Sequence, residues 1–158
     1  MNESIKLLYE EHEIILYAVD AARRANSFPE NDNLMYEDTV RQLISFFRSY
    51  ADKYHHYKEE KILFPEMSKR NELLMDGAIK EMLENHEDFR EMIRGIEQFL
   101  DEKNYSGARQ QLEKYTEALL NHIAVENDEV FLMAESIFTE EELKKISHRF
   151  IKSAAKVS

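Results

Sequence analysis

The chain predicts an all-α fold: an up-down four-helix bundle with a short fifth helix at its C-terminus. Three observations predict it. Three Gly, two Pro and no Trp in 158 residues leave little material for tight turns, while abundant Glu, Lys, Leu, Ile and Ala favour helix. Apolar residues recur at helical spacing in four long segments. Four histidines and two glutamates fall on those same segments, two of them as His-x-x-x-Glu pairs that share a helix face.

Ser4 is the expected N-cap of the first helix, followed by Ile5, Leu8, His12, Ile15, Leu16 and Val19 at helical spacing. That helix ends near Ser27, before the turn-rich FPENDN. The second runs from about Met35 to near Ser68 over Val40, Leu43, Ile44, Phe47, Ala51, Ile62 and Leu63, with Pro65 bending or loosening its last turn. The third starts between Glu72 and Gly77 and runs to about Lys103, its stripe being Ile79, Met82, Leu83, His86, Phe89, Ile93 and Ile96. Asn104 to Gly107 forms a connection, and the fourth runs from about Ala108 to Glu135 over Leu112, Tyr115, Leu119, His122, Glu126 and Phe131. Thr139 and Glu142 make a capping box that opens the fifth.

In an up-down bundle, residues at one level lie equally far from the loop joining their helices. His86 lies about 17 residues before the third helix ends and His122 about 15 to 16 after the fourth begins, roughly 25 Å each way at 1.5 Å per residue. His12 and His55, and His55 and His86, balance in the same way across their loops. All four histidines therefore fall near one level.

Composition bounds the function classes. The length and 43% hydrophobic content fit a single domain spanning residues 1–158. The net charge of −11 disfavours a basic face for nucleic acid or an anionic membrane. No apolar run reaches bilayer length, and acidic residues interrupt the N-terminal apolar stretch, so a cytoplasmic protein is expected. With no Cys there is neither a disulfide framework nor a thiolate metal site.

The set His12, His55, Glu59, His86, His122 and Glu126 lies on or beside apolar stripes. Buried imidazoles and carboxylates are costly without partners, and cations would neutralise them. Imidazole plus carboxylate suits iron, zinc or manganese. The donor count favours two metals over one: four imidazoles and two bridging carboxylates supply four donors to each of two ions, and a bridging oxide or hydroxide would leave an open position for a small ligand. No histidine follows a Glu at the Glu-x-x-His spacing of ferritin-like sites.

YHHYKEEKILFPEM (Tyr54 to Met67) and NHIAVENDEVF (Asn121 to Phe131), with HEI at His12 and ENHEDF at His86, resemble the hemerythrin-like, or HHE cation-binding, domain family. The ordered pattern H, HxxxE, H, HxxxE extends from His12 through the fourth helix. The resemblance implies a four-helix bundle holding an oxygen-bridged pair of iron ions. Its implied ligands are His12, His55, Glu59, His86, His122 and Glu126, with Glu59 and Glu126 bridging.

Two departures stand out. Oxygen-carrying hemerythrins have a second histidine one turn along the third helix, where this chain has Met82 and Arg90. They also have an Asp five residues after the fourth-helix histidine, where Asn127 stands here. The resemblance therefore points to peroxide, nitric oxide or oxygen redox chemistry and stress response, or to a non-enzymatic iron or oxygen sensor or store, with a protein partner open. FTEEELKKI also resembles the fifth-helix region of an iron-sensing member, and equally an ordinary capped helix start.

Other residues carry two readings each. His56, about 100° round the helix from His55, is either a boundary residue or an extra donor. Glu60 faces solvent or bonds a ligand histidine. Tyr115 is a core aromatic or a gate. His148 is expected to be exposed.

Overall fold

A computed structural model describes residues 2–157. Among them are five long helices, one isolated helical turn and no strand. α1 is Glu3–Ala25. α2 covers 33–70 without a break, α3 is Ala78–Asp101, α4 covers 105–137, and α5 is Glu140–Val157. The isolated turn, Leu73–Asp76, sits in the α2–α3 connection.

Two helix starts differ from the sequence expectation. Asn2, not Ser4, caps α1: its side chain accepts the Ser4 N–H at 2.8 Å and the Ser4 hydroxyl at 2.7 Å. Asn104 caps α4 by accepting the Gly107 N–H at 2.9 Å, so the stretch expected to be a connection is already helical from Tyr105. Asn competes well for both positions because its short amide reaches the free N–H groups of a first turn. Lys103 turns the chain at φ 60°, and the Asn104 N–H closes back on the Phe99 carbonyl at 2.8 Å. Gly107 lets α4 approach α3 here, since an added Cβ would stand 2.8 Å from the Phe99 ring. The expected capping box is present: the Glu142 N–H reaches Thr139 Oγ1 at 3.1 Å and the Thr139 N–H reaches Glu142 Oε1 at 2.9 Å.

α2 and α4 are not α-helical throughout. Phe47–His56 and Glu59–Leu63 in α2, and Glu126–Val130 in α4, take the wider π-helical turn. There the N–H groups of Tyr57, Phe64 and Phe131 bond five residues back, to the carbonyls of Asp52, Glu59 and Glu126. Pro65 follows the second of these segments, where the chain returns to α geometry, and α2 continues through it.

Two apolar cores fill the bundle, one on each side of a polar layer. The first holds Ile15 to Ala25, Tyr36 to Ala51, Phe89 to Leu100 and Ala108 to Ile123; the second holds Ile5 and Leu8, Ile62 to Met67, Ile79 and Met82, and Val130 to Ala134. Chain direction alternates between them, as an up-down bundle requires. In each of α1 to α4 the run passes from one core to the other at His12, at His55 to Glu59, at His86, and at His122 to Glu126. α5 adds Leu143, Ile146 and Phe150 to the second core and packs on α1 and on the π-helical parts of α2.

Candidate metal centre

The polar layer lies inside the bundle. His12, His55, His56, His86, His122, Glu59 and Glu126 are all buried. Ring nitrogens and carboxylate oxygens form two groups, His12–His55–Glu59–Glu126 and His56–Glu59–His86–His122, and within each the donor atoms lie within 4.8 Å of one another. All six residues expected from the sequence are brought together. His56 joins them, and Glu59 is common to both groups.

Glu59 spans the two halves. Its Oε2 lies 3.5 Å from His55 Nε2, and its Oε1 lies 3.3 Å from His86 Nε2. Glu126 spans them as well, with Oε1 at 3.1 Å from both His12 Nε2 and His122 Nε2. Each carboxylate therefore reaches one imidazole on its own helix and one on another. His56 stacks on His86, ring centroids 3.7 Å apart. The imidazole missing from α3 one turn from His86 is thus offered by α2.

Five acceptors hold the five rings from outside. His12 Nδ1 donates to Asn127 Oδ1 at 2.7 Å, His55 Nδ1 to Glu11 Oε1 at 2.8 Å, and His86 Nδ1 to Glu60 Oε2 at 2.7 Å. His122 Nδ1 donates to Asn85 Oδ1 at 2.9 Å, and His56 Nδ1 to Asp52 Oδ1 at a longer 3.4 Å. Carboxylate and amide oxygens only accept, so each Nδ1 carries the proton, and in a neutral ring Nε2 is then free for a metal; His12 Nε2 also lies within hydrogen-bond distance of a carboxylate, 3.1 Å from Glu126 Oε1. Asn127, the departure noted in the sequence, serves as such a holder. Glu60 does too, and it also accepts from Arg90, which bonds Asp52 from the same guanidinium. Glu11 further accepts from the buried Lys58 Nζ at 2.5 Å.

Burial leaves the inward atoms orphaned. Among the described residues, the buried side-chain atoms without a hydrogen bond are His55 Nε2, His86 Nε2, His122 Nε2, both Glu59 oxygens, Glu126 Oε2 and, outside the site, Asn33 Oδ1. Native proteins satisfy nearly all such atoms. A concentration of orphans at one point is what cation ligands look like without the cation, so the donor set fits a metal. Burial drives the His86 imidazole down to about 3 and holds His56 well below its usual range, so both are neutral donors. Burial, with the charge of Glu126, pushes Glu59 well above the carboxylate range. Burial acts on Glu126 in the same sense, but His122, Glu59 and His12 outweigh it and hold Glu126 well below. The two carboxylates thus act on each other across the layer, and a cation between them would favour the ionised form of both.

Two clefts reach this layer. One, of about 310 Å³, is lined by Phe47, Asp52, His56, Phe89, Arg90 and Tyr115 among others. The other, of about 280 Å³, reaches His122 beside Asn85 and Phe89. Tyr115 is at once a core aromatic, edge-on to Phe47 at 5.0 Å, and part of a cleft wall. His148 is exposed and stands apart from the cluster. Among the described residues, no helix is long and apolar enough to cross a membrane.

Sequence reasoning left His56 undecided because it assumed 100° per residue. The π-helical turn around Phe47–His56 reduces that step, and His55 and His56 both turn inwards. The adjacent-histidine pair was the available signal. No curated protein and no solved structure matches the chain. The family model of the hemerythrin HHE cation-binding domain matches residues 3–134, which include every residue of the cluster. A buried layer of five oriented imidazoles and two spanning carboxylates is a cation site, and the chain belongs to the hemerythrin HHE cation-binding domain family.

Proposed function

We propose that this chain, as one domain, holds two iron ions and binds a small ligand (O2, NO or peroxide) at them, in oxidative or nitrosative stress response or related redox chemistry. The observation that carries this reading is the pairing of two four-donor groups through a shared Glu59. His12, His55, Glu59 and Glu126 would hold one ion; His56, Glu59, His86 and His122 would hold the other, with Glu126 as the second bridge. Such a pair supplies a redox-active, Lewis-acidic centre. The protein's own part is to fix the imidazole tautomers from outside, to keep the layer dry between two apolar cores, and to leave clefts for a small molecule at His56 and His122.

Metal analysis of the purified chain tests this. About two irons per chain are expected. Glu59→Ala should lose both ions, His56→Ala should lose one, and His148→Ala should lose none. Equal iron content in all four proteins refutes the assignment.

A second reading, a non-enzymatic iron or oxygen sensor or store, is favoured by the position of the layer. It separates the two cores, so occupancy would stabilise the whole bundle and could be read by a partner. Peroxide turnover by the iron-loaded chain divides the two readings.

A further inference from the structure

The cleft against His56 has features that metal binding does not use. Its deep wall is aromatic: Phe47, Phe89 and Tyr115 are each buried, and Tyr115 stands edge-on to Phe89 with ring centroids 5.9 Å apart. Its other lining residues include Arg48, Lys53, Arg90 and Arg94, on a chain whose net charge is −11. Two of these cations are committed. Arg48 holds Glu97 through two hydrogen bonds of 2.8 and 3.0 Å, and Arg90 is bonded to Asp52, Glu60 and Glu87. Lys53 and Arg94 are exposed and have no ion pair among the described residues. The Tyr115 hydroxyl, on a side chain only 3% exposed, has no hydrogen-bond partner among them either.

We propose that this cleft binds a small organic monoanion, a carboxylate carried on a flat apolar body. The carboxylate sits between Lys53 and Arg94, and the body lies on Phe47, Phe89 and Tyr115 against His56. Size argues for an organic occupant: about 310 Å³ is at the lower end of pockets that take organic ligands, and far more than a diatomic fills. Charge argues for a single negative charge. Only two cations are uncommitted, and Asp52 in the wall and Glu97 beside it repel a second charge. An occupant covers His56 and leaves the second cleft, at His122, open. The binding itself uses none of the orphaned donor atoms.

Calorimetric titration of the purified chain at low salt tests this, with benzoate as the probe. Benzoate should bind at one site, and both acetate, which lacks the body, and benzamide, which lacks the charge, at least tenfold more weakly. Lys53→Glu with Arg94→Glu should weaken benzoate at least tenfold, as two lost surface charge contacts would. Lys144→Glu with Lys145→Glu, the same charge change on α5, should leave it unchanged. The proposal is overturned if benzoate does not bind, if the Lys53/Arg94 double variant binds it equally, or if benzamide matches it. Phenyl phosphate binding more tightly than benzoate also overturns it, because the site would then prefer a dianion. Iron content measured on the same samples keeps this result separate from the metal reading.

Discussion

Replacing Glu11 by Gln tests how the His55 side of the cluster is held. Glu11 is 2% exposed and joins two buried groups, His55 Nδ1 at 2.8 Å and Lys58 Nζ at 2.5 Å. Apart from Glu11, the Lys58 ammonium has, among the described residues, only the Tyr54 ring, 3.4 Å to its centroid. At the 2.5 Å between Glu11 and Lys58 and an effective dielectric of about 20, two unit charges attract by roughly 6–7 kcal/mol. Desolvation of both ions offsets most of this, so the intact pair adds little net stability. Removing one partner strands the other, and breaking a buried pair in this way costs about 3–5 kcal/mol. Gln keeps the volume of Glu11, and its amide oxygen can still accept from His55, so the loss falls on Lys58. We expect Glu11→Gln to destabilise the fold by about 3 kcal/mol, a drop of roughly 6–12 °C in Tm for a chain of this length. Lys58→Met should cost a similar amount by stranding Glu11. The double variant should cost no more than either single change, because both charges leave together. Urea denaturation of the four proteins, metal-free and iron-loaded, measures this cycle. A double variant equal to the sum of the singles, or a Glu11→Gln effect under about 1 kcal/mol, refutes the argument.

Two further outcomes are expected. Asn127→Leu and Asn85→Leu remove the oxygens that orient His12 and His122, so metal affinity measured by chelator competition should fall about 10–100-fold with the helical signal unchanged; unchanged affinity would show that the rings need no holder. Glu37 is held down to about 2 by its bond to Lys103, against some burial, with help from Tyr105 and Arg41. A carboxylate depressed from 4.5 contributes fully above the higher value and loses its contribution as pH falls through the lower. Glu37→Gln should therefore cost about 1 kcal/mol or less at pH 7, an amount that shrinks below pH 4.5 and is gone near pH 2; a cost constant over that range counts against the pairing.

Most of the bundle was legible because helical spacing and burial are linked directly. Ile5, Leu8, His12, Ile15, Leu16 and Val19 were expected on one stripe, and all are buried except Leu16, which is half-buried at its edge. The common level of the four histidines was legible for a related reason: α-helical rise per residue is nearly fixed, so equal distances from a loop mean similar heights. The residues that orient the histidines were less visible. Glu11, Asn85 and Asn127 occur among many other polar side chains, and nothing in their spacing says which oxygen meets a ring nitrogen from another helix; Asp52 alone stands one turn before its ring, His56, on the same helix. Lys58 was harder still, since a lysine beside two glutamates ordinarily signals a solvated face.

Lys58 and His56 have a common explanation. Of residues 55–59, only Tyr57 is exposed. At about 100° per residue, such a run covers more than a full turn, so an α-helix buried over it must be enclosed on nearly every side. Two features supply that enclosure. The π-helical segments Phe47–His56 and Glu59–Leu63 place more residues in each turn, so neighbours such as His55 and His56 diverge less and both enter the layer. On the other side, α5 packs against α1 and these same segments of α2, the elements that carry Glu11 and Lys58. The fifth helix belongs to the site's support for that reason. It lies over the region where a carboxylate and an ammonium are kept out of water, and that pair sets the tautomer of His55. A π-helical turn packs its own backbone less well than an α-turn, so its persistence beside Glu59 and again beside Glu126 needs a compensating gain. The gain available here is the meeting of five imidazoles and two carboxylates at one level.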